Sequence, residues 1–331
     1  MTNTIADNDD GGVKTQSLSS NPAKITVTIY LPDIAAIEAY LAVAPGGGTA
    51  EVPILLTVIL DLADSGGNGW ADLLGAINTA GKYVELNLSY CTMSGTEFDP
   101  DNSVSTGKSK IVSLILPDTA TSIKAGADYD NPTFKNFTNL KSVSSGAVTI
   151  GYRAFQNCTA LKTLDLPAVQ AIGEYAFSGC TSLETVSLPK ATIIGTMAFS
   201  YCTSLKTISP PIAATIGNSA FLGCTGLSSV SLPAATRIDG YAFMSTGTGA
   251  LTVTLGAVPP ELETELFHAV TAKSVIVKVP AGALGSYGSS PTNTTNDNWG
   301  NAFRGGGWDG ESYLTGKVNS NITLTIEAET P

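Results

Sequence analysis

The residues with the clearest potential for chemistry are four cysteines at one position of a repeated unit. They lie 22 residues apart, at Cys158, Cys180, Cys202 and Cys224. A zinc site needs about four ligands that converge on one point, usually as C-x2-C pairs, whereas thiols stacked one per unit would form a line. Other units place different residues at this position: Phe137, Thr246 and Val270. We therefore predict buried packing cysteines, with disulfides as the alternative, and no metal site.

Few other residues could support catalysis. His268 is the only histidine, so a triad or a multi-histidine metal site has one candidate member. Carboxylates that are close in sequence could act without histidine: Asp99 with Asp101, and Asp128 with Asp130. Both pairs lie in stretches that contain Asn, Gly or Pro and are typical of solvated turns. Because the chain also lacks nucleophile-elbow, P-loop and zinc-protease motifs, we predict that it is not an enzyme and needs no cofactor.

A repeat of 22 residues explains the cysteine spacing. Four consecutive units have Ile, Gly, Ala, Phe, Cys and Leu at the same positions, and a fifth unit begins after them. The first residues of the five units are Ile150, Ile172, Ile194, Ile216 and Ile238. The second half of each unit alternates apolar and polar residues, as in Leu164-Asp165-Leu166, which indicates a half-buried strand. A proline such as Pro167 then ends the strand. We predict parallel strands about 4.8 Å apart, with the recurring phenylalanines stacked in the core.

Weaker copies of the pattern extend over most of the chain. Leu86, Leu88 and Cys91 fit the general leucine-rich-repeat signature, and Trp70–Ala80 is predicted to be an amphipathic helix that ends at Gly81. The predicted fold is an α/β leucine-rich-repeat solenoid with a parallel β-sheet on one face. The chain is divided into a disordered tail (1–23), irregular N-terminal α/β repeats (24–131), regular repeats (132–257), and degenerate repeats with a C-terminal cap (258–331). The cap is predicted to close on a strand at 322–326.

Composition restricts the partners. The chain of 331 residues has a net charge of −11 and no run of basic residues, so we expect neither nucleic acid nor an anionic membrane as partner. No apolar stretch reaches the roughly 18 residues of a transmembrane segment, and no coiled coil indicates an oligomer, so a monomer is expected. The first residues contain neither the basic nor the apolar part of an export signal. We expect either a cytoplasmic protein or a mature chain from which the signal has been removed.

The repeats resemble the BspA-like, or treponemal-type, leucine-rich-repeat family, whose hallmark is I-G-x-x-A-F-x-x-C-x-x-L-x-x-I-x-L-P. Residues 150–233 fit this pattern almost without deviation, and residues 134–280 fit it with gaps. The resemblance implies a bacterial cell-surface or secreted protein whose export signal has been trimmed. It also implies an adhesin for a protein or glycan partner on a host or bacterial surface, such as a matrix protein, another cell or a receptor. The alternative is a structural or immunodominant surface-coat protein without a dedicated ligand.

Two sets of residues are predicted to carry a binding site. Alternate strand residues point away from the core and should form a sheet face of small polar side chains: Thr163, Asp165, Thr185, Ser187, Thr207, Ser209, Ser229 and Ser231. A second set stands two residues before each recurring Phe and varies between units, which indicates an outward-facing position. This alternative binding column is Arg153, Tyr175, Met197, Ser219 and Tyr241. The sheet face is the first candidate, although it is poor in aromatic residues and arginine, the usual hot-spot residues.

Overall fold

The structure is a computed structural model. It describes residues 30–63, 69–100, 103–258, 260–262, 266–267, 274–280, 315–319 and 322–328. The predicted tail at 1–23, Asp101, His268 and Val270 lie outside these ranges.

The described elements are two α-helices, a short 3-10 helix and 21 strands. The helices are α1 (Ile34–Val43) and α2 (Trp70–Ala80), and the 3-10 helix is Lys108–Lys110. The strands are β1 (Tyr30–Leu31), β2 (Ile54–Val58), β3 (Val84–Asn87), β4 (Glu97–Phe98), β5 (Ile111–Ile115), β6 (Ser122–Ile123), β7 (Ser142–Ser144), β8 (Thr149–Ile150), β9 (Thr163–Asp165), β10 (Ala171–Ile172), β11 (Thr185–Ser187), β12 (Ile193–Ile194), β13 (Thr207–Ile208), β14 (Thr215–Ile216), β15 (Ser229–Leu232), β16 (Arg237–Ile238), β17 (Ala250–Leu255), β18 (Glu261–Leu262), β19 (Ser274–Val279), β20 (Thr315–Asn319) and β21 (Ile322–Ala328).

The chain coils into a solenoid with two ladders of parallel strands. The first ladder runs β1-β2-β3-β5-β7-β9-β11 and resumes as β13-β15-β17-β19-β21, where β20 closes it in antiparallel orientation. The second ladder contains eight described strands, from β4 to β18. The predicted repeat solenoid is therefore confirmed, and the predicted closing strand forms most of β21.

The second ladder was not predicted, because the sequence indicated one strand per unit. Its strands are two residues long, which is too short for an alternating pattern of apolar and polar residues to be recognised. In each of them one apolar side chain, such as Ile172 in β10, is buried, and its neighbour is half-buried or exposed. A regular coil therefore has three sides: a strand of the first ladder, a strand of the second, and a turn.

The turn carries the recurring phenylalanines, which form the predicted stack. From Phe155 to Phe243, successive ring centroids are 5.2 to 5.9 Å apart and the ring planes lie within 13° of each other. The rings are completely buried. The backbone of this side also bonds to the next coil: the N–H groups of Tyr175, Phe177 and Gly179 donate to carbonyl oxygens of the following turn at 2.8 to 2.9 Å. Hydrogen bonds between coils are thus present on all three sides.

The cysteine position lies in the core next to these rings. All five cysteines of the chain are buried and none is in a disulfide. The Cys202 thiol donates a hydrogen bond to the carbonyl oxygen of Phe177 at 3.2 Å, and burial raises the pKa of Cys224 to about 12. Phe137 and Thr246, which stand at the equivalent position, are also buried. The prediction of packing cysteines is confirmed.

Helices are part of the irregular coils at the N-terminal end. Helix α2 has the predicted bounds, and Gly81 ends it with a left-handed backbone of φ 65°. Its first residue, Trp70, is buried and its indole N–H donates to the carbonyl oxygen of Pro100 at 2.8 Å. Helix α1 packs against α2 and is capped by Asp33, whose carboxylate accepts the Ala36 N–H at 2.8 Å.

The first ladder is interrupted between β11 and β13. In the third regular unit Pro210 stands where Leu188 and Leu232 stand in the neighbouring units. The N–H at the equivalent position of other coils donates to the following coil, as Leu116 N–H does to the carbonyl oxygen of Ser144, so the proline removes a hydrogen bond from β13 to β15. Strand β13 is consequently only two residues long and ends before Ser209. The prediction that Ser209 belongs to a strand is wrong for this reason, although its side chain is exposed.

Candidate binding surfaces

The first predicted surface is the outer face of the first ladder. The register places Thr163 beside Thr185 and Asp165 beside Ser187, so the residues form rows that cross the strands. Six of the eight side chains are exposed, and the two serines of β15 are half-buried. The rows thus contain hydroxyl groups and one carboxylate. They lack the large anchors around which protein interfaces are usually built.

The alternative column lies at a corner of the turn and is less exposed than predicted. Its five residues have left-handed backbones, with φ between 52° and 59°. Four of them are half-buried, and Ser219 is buried at 5% exposure, so the prediction of an outward-facing position is wrong for Ser219. This backbone conformation is uncommon for residues other than glycine. Here it coincides with the hydrogen bonds to the next coil, which hold the corner whichever side chain is present.

Arg153 and three tyrosines meet at this corner, and we call the group Arg153, Tyr129, Tyr152 and Tyr175 the Arg153 cluster. The guanidinium carbon lies 4.2 Å from the ring centroid of Tyr175, 4.8 Å from that of Tyr152 and 5.7 Å from that of Tyr129. The rings of Tyr152 and Tyr175 are edge to face at 6.2 Å. Gln156 accepts a hydrogen bond from Arg153 Nη1 at 2.8 Å. Cation–π contacts and this bond fix the guanidinium while Tyr129 remains 61% exposed.

A groove of about 260 Å³ opens beside the cluster and shares Tyr129 with it. Its other surface groups are amides, hydroxyls and one charge of each sign: Asp130, Lys135, Asn136, Thr138, Asn157 and Thr159. The cluster and the groove together offer a rigid aromatic and arginine anchor beside a concave surface that is part polar and part apolar. Such an arrangement suits recognition of another molecule, because the anchors lose little conformational freedom on binding.

Only part of this cluster followed from the sequence. Arg153 and Tyr175 were predicted from their common position in the repeat. Tyr152 is adjacent to Arg153 but was not recognised. Tyr129 lies in the preceding irregular coil, where no 22-residue register connects it to the others.

The candidate catalytic groups have structural roles where they are described. Asp128 accepts the backbone N–H groups of Asp130 and Asn131, and the side-chain hydrogen bond from Asn131 lowers its pKa. It is a turn residue, as predicted. Asp99 forms an ion pair with Lys124. Within the described ranges, no three His, Cys, Asp or Glu side chains are grouped to hold a metal ion. Neither described α-helix is long and apolar enough to cross a membrane.

Comparison with known proteins identifies the repeats. Residues 128–249 match the BspA type Leucine rich repeat region in six copies. No curated protein matches the chain. Among solved structures, the chain is similar to a leucine rich cell surface protein from Faecalibacterium prausnitzii A2-165, with 26% identity and a TM-score of 0.41, over 49% of this chain and 43% of that one. It therefore spans less than half of that protein.

Two further solved structures are similar. The Leucine Rich Repeat protein of T. pallidum is 25% identical with a TM-score of 0.38, and the match covers 48% of this chain and 77% of that one. A leucine-rich repeat protein from Bacteroides ovatus ATCC 8483 is 20% identical with a TM-score of 0.41, and the match covers 82% of this chain and 71% of that one.

Proposed function

Residues 128–249 form a BspA-type leucine-rich-repeat region, and from this premise we propose that the chain is a cell-surface binding protein. It acts as an adhesin that holds a protein of a host or of a neighbouring cell. The contact is made through the Arg153 cluster and the adjoining groove. The solenoid supplies a rigid support, and no catalytic step is part of the function.

The observation that carries this proposal is the packing of one guanidinium against three tyrosine rings at a solvent-accessible corner. Tyrosine and arginine are enriched among the residues that dominate the free energy of protein binding. The cluster is held in place by backbone hydrogen bonds between coils and by Gln156. A partner therefore meets anchors that are already ordered, which reduces the entropy lost on association.

The sheet face is the weaker candidate surface. Its Ser and Thr rows pair across strands and keep an exposed sheet soluble, which also fits a surface-coat protein without a dedicated ligand. That coat function is the alternative to the adhesin. The two differ in a measurable property, since a coat protein shows no saturable binding.

The test is a binding screen of the purified chain against immobilised matrix proteins, plasma proteins and glycans, followed by titration of the strongest ligand. The first variants are Tyr175→Ser and Arg153→Met. Both place at the corner a residue that the same position holds in another unit, at Ser219 and Met197, so the fold is retained. The matched control is the sheet-face variant Thr185→Ala with Ser187→Ala.

We expect saturable binding to a protein ligand that weakens about 30-fold or more in either corner variant, as for a hot-spot residue, and that persists in the sheet control. Equal loss in the sheet control would move the site to the sheet face. Binding to glycans alone would replace the protein partner with a sugar. Absence of any saturable ligand would favour the coat protein.

A further inference from the structure

We infer that the edge of the sheet where the strands begin binds a linear polyanion, of the class of sulfated polysaccharides, along a row of lysines. The row consists of Lys82, Lys110, Lys141, Lys162 and Lys206, each immediately or two residues before a strand of the first ladder. No basic run exists in the sequence, because consecutive members are 21 to 44 residues apart. The solenoid brings them to one edge of the sheet.

The backbone pairing shows how closely the members follow one another. The N–H of Lys162 donates to the carbonyl oxygen of Lys141 at 2.8 Å, and that of Glu184 donates to the carbonyl oxygen of Lys162 at 3.2 Å. Positions in adjacent coils are therefore one strand spacing apart. Six coils, from β3 to β13, contribute five lysines. Lys141, Lys162 and Lys206 share one register position with Glu184, which interrupts the row, whereas Lys82 and Lys110 lie about two residues before that position, since the Lys141 N–H donates to the carbonyl oxygen of Val112. At about 4.8 Å per coil the row is roughly 24 Å long.

A carboxylate of this chain already lies on the row. The loop after α1 folds across the edge of the sheet, so that Lys141 Nζ donates to Glu51 Oε1 at 2.9 Å and to the carbonyl oxygen of Ala50 at 3.0 Å. Glu51 lies 90 residues from Lys141 in the sequence. The hydrogen bond and charge of Lys141, together with the charge of Lys162, lower the pKa of Glu51. The row thus attracts an anion in a chain whose net charge is −11.

The arrangement favours a polysaccharide over other polyanions. Its members are lysines, which act as point charges towards sulfate or carboxylate groups spaced along a chain. The bases of a single-stranded nucleic acid would need successive aromatic rings on which to stack. The row lacks such a series: Tyr83 is the ring that contacts one of the lysines, with its centroid 4.2 Å from Lys110 Nζ. Lys162 and Lys206 are exposed, so a ligand can reach them from solvent.

The probe is a heparin oligosaccharide, with uncharged dextran as the neutral control, and the readout is the dissociation constant between 50 and about 200 mM salt. The double variant Lys162→Gln with Lys206→Gln removes two charges from the row. Its matched control is the double variant Lys190→Gln with Lys135→Gln, which removes two charges from other exposed or half-exposed positions. A gain-of-charge variant, Glu184→Lys, fills the interruption, and Glu174→Lys adds the same charge on the turn side.

We expect heparin to bind, the row variant to weaken binding at least about tenfold, and the slope of log affinity against log salt to fall by about 2. Glu184→Lys should strengthen binding several-fold more than Glu174→Lys. Equal effects of row variants and controls would overturn the inference, since binding would then follow net charge alone. Stronger binding to single-stranded DNA or to anionic phosphatidylserine vesicles than to heparin would also overturn it. The row variant and Glu184→Lys leave the Arg153 cluster and the adjoining groove unchanged, so the protein ligand should bind these two variants as it binds the wild type.

Discussion

Replacing Gly195 with alanine should destabilise the solenoid by about 2–4 kcal/mol. A glycine recurs at this second position of the regular units, where the backbone of one coil passes close to the next. A Cβ at Gly195 would lie 2.7 Å from the carbonyl oxygen of Ile172 and 2.8 to 2.9 Å from two further backbone atoms of the preceding coil. No flexible side chain can move aside. The two coils must therefore move apart, and overpacking of this kind costs about 1–3 kcal/mol. The separation also weakens the hydrogen bond from Gly195 N–H to the carbonyl oxygen of Ile172, which is 2.9 Å long in the wild type.

The assay is urea unfolding followed by far-ultraviolet circular dichroism, with Gly75→Ala as the matched control. Gly75 lies inside α2, and a Cβ there would meet no atom within 4 Å. The same chemical change should therefore raise the unfolding free energy there by up to about 1 kcal/mol, since alanine favours a helix more than glycine does. A Gly195→Ala protein within about 0.5 kcal/mol of the wild type would refute the close stacking of coils.

Three further predictions concern the core. Phe199→Ala removes a buried ring between Phe177 and Phe221 and should cost about 3–5 kcal/mol, so an unchanged thermal melt would contradict the stack. The five cysteines should not react with a thiol reagent at pH 8 until the protein is unfolded. Burial raises the pKa of Cys224 to about 12, so the folded chain keeps a proton that the unfolded chain releases. The free energy of unfolding should therefore fall as the pH rises above about 9 towards 12. Labelling of the native protein, or an unfolding free energy that does not change over this pH range, would argue against buried cysteines. Pro210→Leu restores an N–H that can donate from the end of β13 to β15 and should stabilise the fold by about 1 kcal/mol in urea unfolding, whereas a lower midpoint would show that the proline is required.

The parts of the fold that repeat were predictable, because the same residue types return every 22 positions. The Phe stack, the buried cysteines and the strands of the first ladder follow from that register. Helix α2 was predictable for a different reason, since its periodicity and the stop at Gly81 are local signals. The two-residue strands of the second ladder have no periodic pattern of their own, and Pro210 shortens β13 without disturbing the repeat.

The candidate sites were less predictable, because they depend on contacts between coils of different length. Tyr129 reaches Arg153 from an irregular coil. The lysine row is hidden by the long separations of its members in sequence. Lys108 is completely buried with its ammonium 5.5 Å from the centroid of the Phe137 ring. In each case the decisive neighbour lies in another coil, and no local pattern indicates it.

The most direct test of the proposed function is the affinity of the strongest protein ligand from the screen for the wild type and for Tyr175→Ser, measured by surface plasmon resonance. We expect saturable binding to the wild type and an increase in the dissociation constant of about 30-fold or more for the variant, with an unchanged melting temperature. Equal affinity of the two proteins, or no saturable binding to either, would contradict it.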